Sequence, residues 1–178
     1  MTKAVGIDIG GTGIKGALVD TVTGKLISDR IKLDTPTGGE PDDIVKTVVQ
    51  IVDQLKVAKT IPVGVCFPAI VIDGRTMSAA NVSKKWIDLD AEKLFEKALG
   101  RDIRFVNDAD AAGVAEARHG AAKDVAGLVI LTTLGTGIGS ALIYNGVLIP
   151  NAELGHIEID GKDAEKRASY ISKEKAHL

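Results

Sequence analysis

Hydrophobic positions along this chain change their period several times, and each change marks an element. Ala4 to Ile9 and Ile14 to Val19 are short runs rich in β-branched residues, the pattern of strands. Gly10-Gly11-Thr12-Gly13 between them reads as a hairpin turn whose glycines can take positive φ. Lys25 to Leu33 alternates and is expected as the third strand of an antiparallel meander. After the Pro- and Gly-rich break at Thr35 to Pro41, Ile44, Val48, Ile51, Val52 and Leu55 recur at helical spacing, predicting a helix from about Asp42. Its early Asp42 and Asp43 suit the positive end of the helix dipole. Ile61 to Phe67 is a continuous apolar run, expected as a central strand covered on both faces. Pro68 to Trp86 is irregular and reads as a long loop. It carries Arg75, Lys84 and Lys85, candidate contacts for a polyanion or a solvated loop, and the lone tryptophan, a candidate core anchor. Asp90 to Leu99 is a second helix stopped by Gly100, Ile103 to Val106 a short strand, and Asn107-Asp108-Ala109-Asp110 opens an alanine-rich helix running to about His119.

The pattern then repeats. Leu128 to Thr133, Ile138 to Tyr144 and Val147 to Ile149 form a second meander, turning at Leu134-Gly135-Thr136-Gly137 and at Asn145-Gly146. Gly11-Thr12-Gly13-Ile14-Lys15-Gly16-Ala17-Leu18-Val19 aligns with Gly135-Thr136-Gly137-Ile138-Gly139-Ser140-Ala141-Leu142-Ile143, sharing the glycines of the turn, the threonine, the isoleucine, the alanine and the leucine. A duplicated glycine-tipped hairpin predicts an α/β chain of two domains with like topology, residues 1–107 and 108–178, facing each other and each lending a turn to one phosphate chain. About ninety residues follow the first hairpin before Asp108 and about forty follow the second, so the second domain is expected to be incomplete. Glu158 and Asp160 alternate with Ile157 and Ile159, the solvent side of a strand, and Asp163 to Ala176 can make one helix with a thin apolar face.

Chemistry enters at the strand ends. Asp8 and Lys15 flank the first turn, so its tip offers backbone N–H groups, a hydroxyl, a carboxylate and an ammonium, a mixture suited to phosphate and a divalent metal. Asp108 lies at a strand-to-helix junction, where an open α/β sheet presents its ligand crevice; Asp108 or Asn107 as a helix N-cap is the competing reading. Together these features point to phosphoryl transfer. A formal net charge of −2 gives no electrostatic footprint for nucleic acid, and no apolar run approaches the roughly 18 residues of a membrane span. Without the layout of a signal peptide, the expected location is the cytoplasm. The single cysteine, Cys66, cannot form an internal disulfide, makes a structural zinc site improbable and is expected as a buried, inert thiol.

Four segments carry a family resemblance across essentially the whole chain: Asp8-Ile9-Gly10-Gly11-Thr12, Val106-Asn107-Asp108-Ala109, Leu134-Gly135-Thr136-Gly137-Ile138-Gly139 and Glu153-Leu154-Gly155-His156. In this order they resemble the ROK family of sugar kinases, within the actin, hexokinase and Hsp70 superfamily. Asn81-Val82-Ser83-Lys84-Lys85-Trp86 and Glu153 to Glu165 resemble its actinobacterial polyphosphate-using glucokinases, which share with this chain the absence of the family's cysteine-rich zinc motif.

The resemblance implies an actin-like ATPase (ribonuclease H-like) fold and a phosphotransferase that moves a phosphoryl group from polyphosphate, ATP or both to the 6-hydroxyl of glucose. It implies Asp108 as general base, and Asn81, Asn107, Asp108, Glu153, His156 and Glu165 as sugar-binding. Gly10, Gly11, Thr12, Lys15, Thr133, Gly135, Thr136 and Gly137 would contact phosphates, and Asp8 would position Mg²⁺. It also implies a homodimer, and a chain lacking the family's base-binding segment and returning helix. The alternatives are an ATP-dependent kinase for another hexose, such as mannose or N-acetylmannosamine, and a non-catalytic sugar-binding fragment. The family's repressors carry a DNA-binding helix-turn-helix ahead of the first strand, for which a strand beginning near Ala4 leaves no room.

Overall fold

The computed structural model describes residues 2–80, 82–135 and 137–168; Asn81, Thr136 and most of the helix expected over Asp163 to Ala176 lie outside the described residues. Its elements are β1 (Lys3–Ile9), β2 (Gly13–Asp20), β3 (Ile31–Asp34), α1 (Pro41–Gln54), β4 (Val63–Phe67), β5 (Val71–Ile72), β6 (Arg75–Thr76), β7 (Leu89–Asp90), α2 (Ala91–Leu99) and β8 (Ile103–Asn107). Then come α3 (Asp108–His119), β9 (Leu128–Leu134), β10 (Ile138–Tyr144), β11 (Val147–Ile149), β12 (Glu158–Ile159), β13 (Lys162–Asp163) and α4 (Glu165–Ala168). They fall into two compact units, Met1–Asp108 and Ala109–Leu178.

The first unit is built on a five-stranded sheet of order β3-β2-β1-β4-β8. The meander β1–β2–β3 is antiparallel, while β4 and β8 join parallel to β1 and to each other after crossovers through α1 and α2. Pleating sends Val5, Ile7, Ile9, Val63, Val65, Phe67, Ile103 and Phe105 to one face, where they bury against Ile44, Val48 and Ile51 of α1 and Phe95 of α2. Gly16 allows that contact, since a Cβ there would overlap Ile51 and come within 2.7 Å of Ile7 Cδ1. Trp86 is fully buried in the same core, 4.4 Å from Phe67 ring to ring, and its indole N–H donates to the Gly39 carbonyl at 2.8 Å.

Three expectations change here. The third strand forms only over Ile31–Asp34, with Leu26 making an isolated bridge to Val19. The Ser28 hydroxyl accepts the Leu18 N–H at 3.0 Å, filling the place that a strand carbonyl would occupy. The long loop contributes β5 and β6 to a small antiparallel sheet that β7 completes just after it, and contains a 3-10 turn at Lys84–Trp86. β4 is flanked by β1 and β8, yet β1 is the middle strand and only one β4 face is fully buried, because Gly64 and Cys66 on the other face meet less cover.

The second unit repeats the meander as β11-β10-β9. Asn145 and Gly146 both take positive φ, 49° and 79°, as a two-residue hairpin turn of the mirror-image type requires. α3 covers one face over Ala141 and Ile143, at Gly113, where a Cβ would press on both side chains. The opposite face presents Leu128, Ile130, Leu134, Tyr144, Val147 and Ile149 largely exposed, Leu134 at 73%. In the hairpin β12–β13, Ile157 and Ile159 are exposed along with Glu158 and Asp160, so that alternation marks no buried face. Among the described residues, no helix is long and apolar enough to cross a membrane.

Candidate active site

Asp8, Cys66 and Val106 lie in one row of the first sheet, and Phe67 pairs with Asn107 one residue further along. Asp8 is therefore the next-to-last residue of β1, and Asp108 follows β8 as the first residue of α3, on either side of β4. Between them stands the Cys66 thiol, 3.2 Å from the Ile7 carbonyl and 4.0 Å from Asp8 Oδ1. Burial, then the negative charges of Asp8 and Asp108, push this thiol up to about 12, so it stays protonated and inert as expected. Asp8 Oδ2 pairs with Lys15 Nζ at 3.1 Å, and both side chains are open to solvent, at 48% and 36%. The Asn107 side chain is buried and donates to the Ala69 carbonyl at 3.0 Å.

The first turn is closed by the Gly10 N–H donating to the Gly13 carbonyl at 3.1 Å, with Gly11 and Thr12 exposed at its tip. Positive φ is not what its glycines supply: none of Gly10, Gly11 and Gly13 lies in the left-handed region, nor do Gly135 and Gly137. They supply closeness instead. A Cβ on Gly10 would sit 3.1 Å from the Gly13 carbonyl oxygen and one on Gly13 2.7 Å from Lys32 Cε, while nothing lies within 4 Å of one on Gly11, so the backbone there is open to a ligand. Thr35, which the sequence reading passed over, braces this turn by donating its hydroxyl to the Gly10 carbonyl at 2.6 Å.

In the second unit Ile14's counterpart, Ile138, pairs with Leu134, making this turn one residue shorter than the first, where Ile14 pairs with Ile9. The Gly135 N–H donates to the Gly137 carbonyl at 2.9 Å. Thr133 lies against Gly139, where a Cβ would collide with its hydroxyl and come within 3.0 Å of Ala109. The Ile138 N–H donates to Glu165 Oε2 at 2.9 Å, and the same oxygen occupies the space that a side chain on Gly137 would fill. Glu165 thus lies directly over the turn expected to hold phosphate.

The segment carrying Glu153 is pinned from both sides by residues that no motif announced. The Asn151 N–H donates to Asp110 Oδ2 of α3 at 2.9 Å; burial raises the Asp110 carboxyl above its ordinary range, while this hydrogen bond lowers it. The Ser140 hydroxyl donates to the Ala152 carbonyl and accepts the Leu154 N–H at 2.8 Å. Gly155 crosses the Ile138 carbonyl so closely that no side chain fits. His156 Nε2 then stands 4.0 Å from Glu153 Oε2, and its Nδ1 lies 3.1 Å from Asp163 Oδ2. The one signal that could have found Asp163 is Asp160-Gly161, a hairpin dipeptide that folds β13 back and sets Asp163 opposite Glu158.

The basic residues of the long loop are engaged locally. Lys84 donates to the Ala79 carbonyl at 2.6 Å, Lys85 pairs with Glu40 at 2.9 Å and Arg75 with Asp88 at 3.1 Å. His119 is exposed at the end of α3. Asn81 and Thr136, expected at the sugar and the phosphates, fall outside the described residues.

Known proteins resemble this chain in sequence and in fold. The chain is 51% identical over 171 residues to the polyphosphate glucokinase of Mycobacterium tuberculosis strain H37Rv, an alignment that covers 96% of this chain and 64% of that protein. It superposes on the crystal structure of the inorganic polyphosphate/ATP-glucomannokinase from Arthrobacter sp. strain KM with a TM-score of 0.96 at 49% identity, covering 100% of this chain and 72% of that one. The ROK family glucokinase from Streptomyces griseus, solved with glucose and AMPPNP, matches at a TM-score of 0.83 and 28% identity, over 98% of this chain and 61% of that one. The fold is the actin-like ATPase fold, and the chain spans 64% of the length of its mycobacterial relative. The ROK family model matches residues 4–170, and the chain belongs to the ROK family.

Proposed function

We propose that this chain carries the sugar- and phosphate-binding chemistry of a cytoplasmic glucokinase that transfers a phosphoryl group from polyphosphate or ATP to the 6-hydroxyl of glucose. The observation that carries the reading is the placement of Asp8 and Asp108 at the carboxyl ends of β1 and β8, both acting on the thiol between them. Asp108 takes the proton from the attacking hydroxyl. Because phosphoryl transfer passes through a loose transition state, orienting the hydroxyl matters more than the strength of the base.

Gly10, Gly11, Thr12, Lys15, Thr133, Gly135, Thr136 and Gly137 contact donor phosphates, through the open turn backbone, the threonine hydroxyls and the Lys15 ammonium. Asn81, Asn107, Glu153, His156 and Glu165 receive the sugar. Each directed hydrogen bond from them penalises a sugar that leaves it unpaired.

Mg²⁺ fits this donor set in one way. Among the described residues no three His, Cys, Asp or Glu side chains gather as a metal cage, whereas Asp8 is a single half-exposed carboxylate beside the first turn. Mg²⁺ is commonly held by one or two carboxylates together with substrate phosphates. Asp8 would hold it, and the ion would neutralise charge on the transferring group. The Arthrobacter neighbour is named for glucose and mannose together, so mannose is the alternative acceptor most worth testing.

The test is a coupled assay for glucose 6-phosphate with polyphosphate and with ATP, alongside calorimetry with glucose. Asp108→Asn is expected to lower turnover by about 10²–10⁴-fold, with a much smaller change in glucose affinity. Absence of both glucose binding and product with either donor would overturn the reading.

A further inference from the structure

We propose that Asp163 is a positioning residue of the sugar site, holding the His156 ring with one carboxylate oxygen and the Glu165 backbone with the other. The inference rests on the reading that His156 and Glu165 receive the sugar, and adds a residue that makes them act together. Asp163 Oδ2 lies 3.1 Å from His156 Nδ1, and Asp163 Oδ1 accepts the Glu165 N–H at 3.0 Å. Glu165 in turn accepts the Ile138 N–H at the phosphate turn. One carboxylate therefore links the imidazole, the second glutamate and the start of β10.

The consequence is chemical as well as steric. With a carboxylate on Nδ1, the neutral imidazole carries its proton there, and Nε2 becomes an acceptor on the side of Glu153. A ring without that partner could flip or hold its proton on Nε2, turning the same position into a donor. Carboxylates that hydrogen-bond the far nitrogen of a metal-bound histidine act in this way, and removing them costs about 10–100-fold in affinity or activity. The groups that face His156 are Asp163, Glu165 and Glu153. All three raise its proton affinity, the hydrogen bond that the ring donates to Asp163 most of all and against the effect of partial burial. The hairpin explains the delivery: β12 and β13 pair Glu158 with Asp163, and the Ala164 N–H closes on the Ile157 carbonyl at 2.9 Å, bringing Asp163 back beside the ring.

The test uses ¹⁵N-labelled chain and reads the imidazole resonances of His156 during a pH titration, with and without glucose, in the wild type and in Asp163→Asn and Asp163→Ala. The expected wild-type spectrum shows the proton of the neutral ring on Nδ1 and a midpoint above the ordinary histidine value. In Asp163→Ala the midpoint falls, the tautomer signature is lost and the glucose dissociation constant rises about 10–100-fold. Asp163→Asn keeps a neutral acceptor for one of the two bonds, so it restores part of the affinity while its midpoint stays low. Asp160→Asn, in the same hairpin, checks for a merely structural effect and is expected to bind like wild type. If glucose binds the wild type and shifts His156, but both Asp163 variants titrate and bind unchanged, the proposal is overturned and the functional reading stands. If glucose neither binds the wild type nor moves His156, that reading fails and takes the proposal with it.

Discussion

At Gly155 one methyl group would run into the carbonyl oxygen of Ile138. Backbone cannot rotate away as a side chain can, so Gly155→Ala is expected to destabilise the second unit by about 3 kcal/mol, the upper end for overpacking. Denaturant unfolding measures the loss, and a weakened response to glucose would show that Glu153 and His156 moved with it. The Asp163–His156 pair makes a second prediction with a definite sign. The histidine is raised, so its stabilisation is complete below the ordinary value of 6.5 and is lost as pH rises through its folded value. The aspartate is lowered, chiefly by that histidine, so its share is complete above 3.8 and is lost as pH falls through its folded value. Melting temperatures of wild type and Asp163→Asn should therefore differ most between pH 3.8 and 6.5, and the difference should shrink above the His156 midpoint to the part carried by the Glu165 N–H bond. At this scale Asp8, Asp108, Glu153 and His156 stand out in the sequence as candidates because motifs carry them. Thr35, Asp110, Ser140 and Asp163 were not, because each matters through a partner brought to it by a turn or a crossover.

At the scale of elements, period carried most of the information and turn chemistry the rest. α2 ends where Gly100 was expected to stop it, at φ 62°, and the Asn145-Gly146 hairpin has both residues left-handed. The glycine-tipped turns gave the opposite lesson, since their glycines serve close approach rather than unusual φ. The shortened β3 makes a third prediction. Ser28→Ala removes the acceptor of the Leu18 N–H and should cost the first unit about 1 kcal/mol, followed by the fluorescence of buried Trp86. Full retention of stability would mean that a neighbouring carbonyl replaces the hydroxyl and that alternation alone governs the strand.

Across the whole molecule the two units differ in how much they bury. The principal core lies in the first unit, with all three phenylalanines and the tryptophan in contact there. Among the described residues, the buried apolar side chains of the second unit are Ala109, Ala141 and Ile143, while one face of its sheet is apolar and exposed. Fewer buried contacts mean cheaper opening. Hydrogen exchange is therefore expected to be faster in β9, β10 and β11 than in β1, β4 and β8, and an apolar dye should bind before Trp86 becomes exposed on heating. Equal protection of the two sheets would contradict this ranking.

The sequence by itself determined the two meanders, their internal repeat, the helices that make the crossovers and the family, because these rest on local period, turn residues and motifs contiguous in the chain. Tertiary structure alone decided which groups meet: Asp8 and Asp108 on either side of Cys66, Glu165 over the Gly135–Ile138 turn, and Asp163 on His156. A side chain's period says which face it takes. It cannot say what the returning chain will lay against that face, since that depends on register, crossover and twist summed over many residues.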